Sequence, residues 1–317
     1  MEKKRRCSVG VSAQSFAKSK GLRDLLEDVC SPIASVEYYQ HEDASSRERM
    51  IEFLRDKTIW LVGKEPVTQE FLAVAPQLEM IAKYGVGVDN IDFDACQKRG
   101  VQVHFEPGIN ADAVAELTIG LMLGLRRNIG MTSRLLSQGI WMKNGGSSLW
   151  DCTVGIVGFG NIGSRVGGLV NAFRCHVLIN DILDKSLEAT KINAEIVDMA
   201  SLLERSDIVS LHVPLTPQTK GFFGKKQFEL MPQGSLLINT SRGQVVDHEE
   251  LVSALTNGKI GGAALDVFEH EPLNDQRLYS LDHFLGTPHI GGNSQEAVWA
   301  MGKAAIRGVQ HWLKAQE

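Results

Sequence analysis

The chain has 317 residues, 43% hydrophobic and 22% charged, with a net charge of −5 at pH 7. That length suits two domains better than one core, and the composition excludes a disordered chain. The acidic balance gives no footing for a nucleic-acid partner, and no apolar run reaches the ~18 residues of a membrane span. The basic start Lys3-Lys4-Arg5-Arg6 lacks a following apolar stretch and cleavage site, so it reads as a solvated terminus. Five cysteines (Cys7, Cys30, Cys96, Cys152, Cys175) are scattered, with no C-x-x-C pair and no histidine at metal-ligand spacing. They read as reduced, structural thiols of a cytoplasmic protein, and no metal is expected.

Short apolar runs alternate with longer amphipathic segments, the pattern of a parallel sheet flanked by helices. Strands are predicted at Ser8–Val11, Ser35–Tyr38, Ile59–Val62 and Glu79–Ala82, with helices over Leu22–Val29 and Glu48–Arg55. This first unit ends near residue 103. Asn110–Leu125 is a strongly apolar helix, expected to be buried over much of its circumference between domains or subunits. Gly145-Gly146-Ser147-Ser148 reads as a loop.

The run Val154–Val157 then ends in Gly158-Phe159-Gly160-Asn161-Ile162-Gly163, a G-x-G-x-x-G turn opening a helix. Gly158 allows a tight turn, Gly160 lets the backbone approach a pyrophosphate, and Gly163 lets the helix pack near its strand. The helix N-terminus presents unpaired N–H groups and partial positive charge to the phosphates. A second run, His176–Ile179, ends in Asn180-Asp181, and Asp181 lies 18 residues after Gly163. The acid that binds the adenosine ribose hydroxyls is expected ~20 residues on. Further strands are predicted at Ile208–Val213, Ser235–Thr240, Gly262–Val267 and Phe284–Pro288, and a last helix over Ser294–Lys314. That helix could join the second unit or return to the first.

Three predicted strand ends carry polar groups. Leu236–Gly243 runs into Thr240-Ser241-Arg242-Gly243, where a guanidinium suits bidentate binding of a carboxylate. In Ala263–Pro272, Asp266 interrupts a strand and must find donors or stay solvated, and Glu271 precedes a proline, which biases it to extended backbone. In Gly286–Gly292, His289 sits on a turn bounded by proline and glycines. Carbonyl reduction by hydride needs a cation for the substrate, an acid for the oxygen, and a partner that keeps the acid charged. Arg242, His289 and Glu271 match those roles, although the chain has nine histidines. His270 is expected to be exposed, and His212 and His248 look like strand-end and helix-start residues.

Together these segments resemble the D-2-hydroxyacid dehydrogenases, particularly their phosphoglycerate dehydrogenase-like branch. Lys83–Asp92, Asn110–Thr118, the glycine loop, Asn239–Gly243, Leu265–Pro272 and Pro288–Gly292 carry the resemblance, which runs from about residue 55 to residue 300. It implies two doubly wound, Rossmann-like or flavodoxin-like α/β domains. A discontinuous substrate domain is expected from 1–103 with 290–317, around an NAD-binding domain at 104–289; the Asn110–Leu125 helix would cross the boundary. It implies that His289 exchanges the proton, Glu271 holds and charges it, and Arg242 grips carboxylate and carbonyl. The Val86 and Gly87 amides would bind the substrate carboxylate. Asn161 and Ile162 would meet the pyrophosphate and Asp181 the ribose. Thr240, Asp266 and Gly291 would lie at the nicotinamide end, with Ser241, Arg242, His289 and Gly292 as further cofactor contacts. Asp181 favours NAD over NADP, since it repels a 2′-phosphate and the nearest cation is Lys185.

The family's usual oligomer is a homodimer. Gly63-Lys64 stands where many phosphoglycerate dehydrogenases have Arg-Ser, and Lys64 offers an anion a point charge without a fork. The chain's length leads us to expect no regulatory domain and no serine feedback. The leading expectation is 3-phosphoglycerate as substrate, in serine biosynthesis. The alternatives are a glyoxylate/hydroxypyruvate or other 2-ketoacid reductase, and a non-catalytic NAD-sensing corepressor on the same fold, which predicts a broken catalytic set.

Overall fold

The structure, a computed structural model, describes residues 7–31, 33–39 and 47–316; the Lys3-Lys4-Arg5-Arg6 run lies outside them. The described residues form two compact units, one from within 1–110 and 294–317, the other from Ala111–Asn293.

The first unit holds five strands: β1 (Cys7–Val11), β2 (Ala34–Tyr38), β3 (Ile59–Val62), β4 (Met80–Lys83) and β5 (Gln102–His104). All pair in parallel, in the order β2-β1-β3-β4-β5. Side chains alternate between the two faces of a strand, so two cores form. Val9, Val11, Ile59, Leu61, Met80 and Ala82 pack on one face; Trp60, Val62 and Ile81 pack on the other. Such buried parallel strands read as continuous apolar runs, which is why their positions could be found from sequence. The three-residue β5, with one residue exposed and two half-buried, has no such run.

The C-terminal helix Gln295–Lys314 returns to this unit. Its Ala305, Ile306, Val309, Trp312 and Leu313 join Leu22 and Leu26 of the helix Lys20–Cys30 over the first core face. Its N-cap Ser294 accepts from Ala297 N at 3.1 Å, and a Cβ on Gly302 would stand 2.4 Å from Leu22, so the two helices touch closely.

The second unit holds β6 (Thr153–Val157), β7 (His176–Asn180), β8 (Glu195–Ile196), β9 (Ile208–Leu211), β10 (Leu236–Asn239), β11 (Gly262–Leu265) and β12 (Phe284–Gly286). They are all parallel, in the order β12-β11-β10-β9-β6-β7-β8. Strand order therefore reverses between β6 and β9, the Rossmann arrangement, whereas the first sheet reverses between β1 and β3, the flavodoxin-like one. The helix Ala111–Arg126 buries the stripe Ala111, Val114, Ala115, Thr118, Leu121, Met122 and Leu125 within its own unit, beside the helix Asn161–Ala172.

No described helix is long and apolar enough to cross a membrane. None of the five cysteines forms a disulfide, and burial pushes the Cys30 thiol up to about 12 and Cys175 up to about 11, which leaves both inert at neutral pH. Because Trp312 completes the first unit's core from the far end of the chain, Trp312→Ala should lower stability by about 3–5 kcal/mol. Urea unfolding monitored by circular dichroism would show it; a loss under about 1 kcal/mol would mean the helix is not a core element.

Candidate active site

The glycine loop leaves β6 at the point where strand order reverses. Gly158 has φ +88°, and a Cβ there would lie 2.8 Å from the His212 carbonyl oxygen. A Cβ on Gly163 would stand 2.1 Å from the Gly158 carbonyl oxygen, so helix and strand approach to backbone contact. Gly160 differs from both: it is exposed and a Cβ on it meets nothing within 4 Å. It is also the N-cap of the helix Asn161–Ala172, with no side chain satisfying that helix's first amides. Two glycines therefore close the turn, and the third leaves room beside unpaired N–H groups, a cradle suited to phosphate. Asp181, just past β7, accepts from Phe159 N at 2.6 Å and Leu183 N at 2.8 Å. Those bonds brace the loop, and a carboxylate retains further lone pairs for hydroxyl donors.

His212 follows β9 on the other side of the same crevice. Its Nε2 lies 2.8 Å from Ser210 Oγ, while Nδ1 is shielded from solvent without a hydrogen-bond partner. Desolvation pushes the imidazole down to about 3, so the ring is neutral at pH 7. The sequence, showing only a strand-end histidine, did not reveal that this ring nitrogen lies orphaned beside the glycine turn.

Arg242, Glu271 and His289 follow the adjacent strands β10, β11 and β12. Asn239, the last residue of β10, is buried and braces the first turn. Its Oδ1 accepts from Ser241 N at 3.0 Å and Ser241 Oγ at 2.8 Å, and its Nδ2 donates to Arg242 O at 2.9 Å. Arg242 Nη1 donates to Ser241 O at 2.8 Å. Thr118 Oγ1 lies 2.7 Å from Val114 O and 2.9 Å from Thr240 Oγ1. A hydroxyl has one proton, so Thr118 donates to the carbonyl and accepts from Thr240, which ties β10 to the helix Ala111–Arg126. Gly243 has no alternative, since a Cβ there would fall 1.9 Å from the Phe268 carbonyl carbon.

Asp266 lies just past the end of β11 rather than inside it, and only 1% of it is exposed. Oδ1 accepts from Thr287 Oγ1 at 2.6 Å and Ile290 N at 2.8 Å; Oδ2 accepts from Gly291 N at 2.8 Å. This buried carboxylate thus finds three donors, all from the turn that carries His289. His289 itself has φ +55°, a left-handed conformation uncommon for any residue but glycine, and Asp266 holds both sides of it. His289 Nδ1 lies 2.8 Å from each Glu271 carboxylate oxygen, with both side chains about one-third exposed (30% and 31%). Gly292 is half-buried on the same turn, and His270 is exposed as expected. His248 starts a helix and pairs with Asp275 at 2.8 Å, apart from these contacts.

In the first unit Lys64 is exposed and Val86 and Gly87 are half-buried in the loop after β4. No described group of three or more His, Cys, Asp or Glu could hold a metal ion.

Residues 119–291 match the model of the D-isomer specific 2-hydroxyacid dehydrogenase NAD-binding domain. D-3-phosphoglycerate dehydrogenase of Methanocaldococcus jannaschii is 35% identical over 92% of the chain, which spans 56% of that relative's length. Glyoxylate reductase of Thermococcus litoralis is 37% identical over 89% of the chain and 88% of the relative. Among solved structures, D-lactate dehydrogenase of Aquifex aeolicus, complexed with NAD and lactic acid, aligns with TM-score 0.86 and 26% identity, covering 98% of this chain and 96% of that one. The chain belongs to the D-isomer-specific 2-hydroxyacid dehydrogenase family, and NAD is the cofactor of the matched domain. The open space over Gly160, the uncapped amides after it and the Asp181 carboxylate fit that cofactor.

The contrast between two glycines makes the fit testable. Gly160→Ala should leave unfolding in urea within about 1 kcal/mol of wild type while weakening NADH binding at least about tenfold. Gly163→Ala should instead destabilise the fold by about 1–3 kcal/mol. Fluorescence titration with NADH and urea melts separate the two; equal NADH affinity in Gly160→Ala would refute the cradle.

Proposed function

We propose that the chain interconverts a D-2-hydroxy acid and its 2-keto acid, with His289 as acid–base catalyst. The carrying observation is the placement of both Glu271 oxygens 2.8 Å from His289 Nδ1. In this reading Nδ1–H donates to the carboxylate, which can only accept, and Nε2 is the nitrogen that meets a substrate oxygen. Bound NAD supplies the hydride donor or acceptor at nicotinamide C4. In the reducing direction, Nε2 gives its proton to the keto oxygen, and in the oxidising direction it takes the hydroxyl proton. Glu271 holds the Nδ1 side of the ring in place between these events. Arg242 serves the carboxylate and carbonyl with its planar fork of donors, and the Val86 and Gly87 amides serve the carboxylate. Asp266 is a positioning residue for the His289 turn.

The unit Ala111–Asn293 takes the cofactor in this reading, and the other unit takes the acid. Asp181 supports NAD over NADP, since its carboxylate opposes a 2′-phosphate. The complete Arg242, Glu271 and His289 set speaks against a purely cofactor-sensing role. The names of the relatives span phosphoglycerate, glyoxylate and hydroxypyruvate, and that of a solved neighbour adds D-lactate, so the Arg242, Glu271 and His289 set is common ground for acids with and without a phosphate. We also propose that the chain works as a homodimer in the cytoplasm. Supporting the dimer, the helix Ile129–Ser137 buries none of its residues, and Ile129, Leu136, Ile140, Trp141 and Met142 are all exposed. Supporting the cytoplasm, all five cysteines are thiols.

His289→Ala should lower kcat by about a thousandfold in a screen of 2-keto acids with NADH. NADH affinity by fluorescence should change less than about threefold. Loss of NADH binding would make His289 structural, and a wild-type protein inactive on every 2-keto acid would end the dehydrogenase reading. The double variant Leu136→Lys, Trp141→Lys should run as a monomer where wild type runs as a dimer, measured by light scattering after gel filtration. An unchanged mass would move the dimer interface elsewhere.

A further inference from the structure

We propose that Glu65 is a specificity-determining residue, whose carboxylate at the switch point of the first unit's sheet excludes a phosphorylated substrate. The chain then acts on short 2-keto acids without a phosphate. The inference rests on the dehydrogenase reading above and narrows its substrate class.

In an open α/β sheet the ligand crevice lies outside the carboxyl ends of the strands, where their order reverses. In the first unit that point falls between β1 and β3. The residues leaving those strands are Ser12-Ala13 and Gly63-Lys64-Glu65. Glu65 turns back on this crevice: its Oε2 accepts from Gly63 N at 2.7 Å. A Cβ on Gly63 would meet Ala13 Cα at 3.2 Å and Glu65 Oε2 at 3.3 Å, so the carboxylate is lodged against the place where the two loops meet.

The other side of the Gly63 peptide is engaged as well. Lys83, at the end of β4 and 5% exposed, places its ammonium on the Gly63 carbonyl oxygen and 2.8 Å from Asn90 Oδ1. Asn90 Nδ2 donates to Gly63 O at 3.2 Å and to Glu65 O at 2.6 Å. Val67 N donates to Asn90 O at 2.7 Å and Asp92 N to Val67 O at 2.9 Å, which zips this loop to the loop carrying Val86 and Gly87. Val62 and Lys83 are register partners, so the two loops leave the sheet side by side. The loop carrying Glu65 and the loop carrying Val86 and Gly87 thus share one edge of the sheet, and in the proposed site Glu65 stands beside the place a small acid would take.

A phosphate there carries a charge of about −1.5 to −2 and needs strong donors. The Gly63 amide is already donating to a carboxylate, and that carboxylate repels the phosphate. Lys64, next along the chain, is exposed and offers a point charge without a fork. A hydrogen or uncharged carbon tail meets no such repulsion. Exclusion by like charge is how a site rejects the larger relative of its own substrate.

The test compares glyoxylate with 3-phosphohydroxypyruvate, both reduced with NADH by wild type, Glu65→Gln and Glu65→Asp. Wild type should favour glyoxylate in kcat/KM by at least about a hundredfold, as expected for like charges brought together. Glu65→Gln keeps an oxygen acceptor for the Gly63 amide, so the loop stays folded while the charge is lost. It should shift the ratio toward the phosphorylated acid by at least about tenfold. Glu65→Asp retains the charge and should keep the wild-type preference. A wild-type preference for the phosphorylated acid, or a ratio unmoved by Glu65→Gln, overturns the assignment and leaves the dehydrogenase reading standing. If no variant and no wild-type protein reduces either acid or any other 2-keto acid, the dehydrogenase reading fails and takes this one with it.

Discussion

Parallel pairing constrains everything else in this chain. When every strand of a sheet runs the same way, all carboxyl ends fall on one edge, and the loops that leave them share that edge. Successive crossovers lie on one face until strand order reverses, and there the connecting segments part to opposite faces. A crevice follows from connectivity alone, before any side chain is chosen. The chain makes two of them. Gly158 and His212 flank one, between β6 and β9; Ala13 and Gly63 flank the other, between β1 and β3.

Side chains brought to such an edge still need holding, and acceptors do most of it here. Asn239 pins the turn of Arg242, Asp266 pins the turn of His289, Asp181 pins the glycine loop, and Glu65 pins Gly63. Each takes backbone N–H groups that have left a strand and lost their ladder partners, so one set of contacts satisfies orphaned donors and orders the loops. Where the carboxylate is buried, as in Asp266, three donors offset the cost of removing charge from water.

Much of this was legible in the residues. Ile59–Val62 is a strand with the bounds expected, because four apolar residues between polar flanks leave little choice. Val154–Val157 with its glycines, and the polar residues after β10, β11 and β12, were legible for a related reason: glycines and charges interrupting a buried run are conspicuous. The contacts were not. Nothing in Gly63-Lys64-Glu65 says that Glu65 folds back on Gly63, and nothing in Lys83 says that its ammonium is buried under two loops. The short β5 and β8 pair at the sheet margins without an apolar run. Helical periodicity located 294–314 without saying which sheet it covers, because that choice rests on Leu22 and Leu26, hundreds of residues away.

That last partnership has a consequence for biosynthesis. Residues 111–293 form a unit from one continuous stretch, so they can reach their final packing as soon as they leave the ribosome. The unit that begins first finishes last, since the face carrying Val9, Val11, Ile59 and Leu61 gains Val309 and Trp312 only when the final helix has been made. At about 5–20 residues per second, translating the intervening stretch takes roughly 10–40 s. Through that interval an apolar sheet face stands partly bare in the nascent chain, and it is there that a chaperone would find its binding surface.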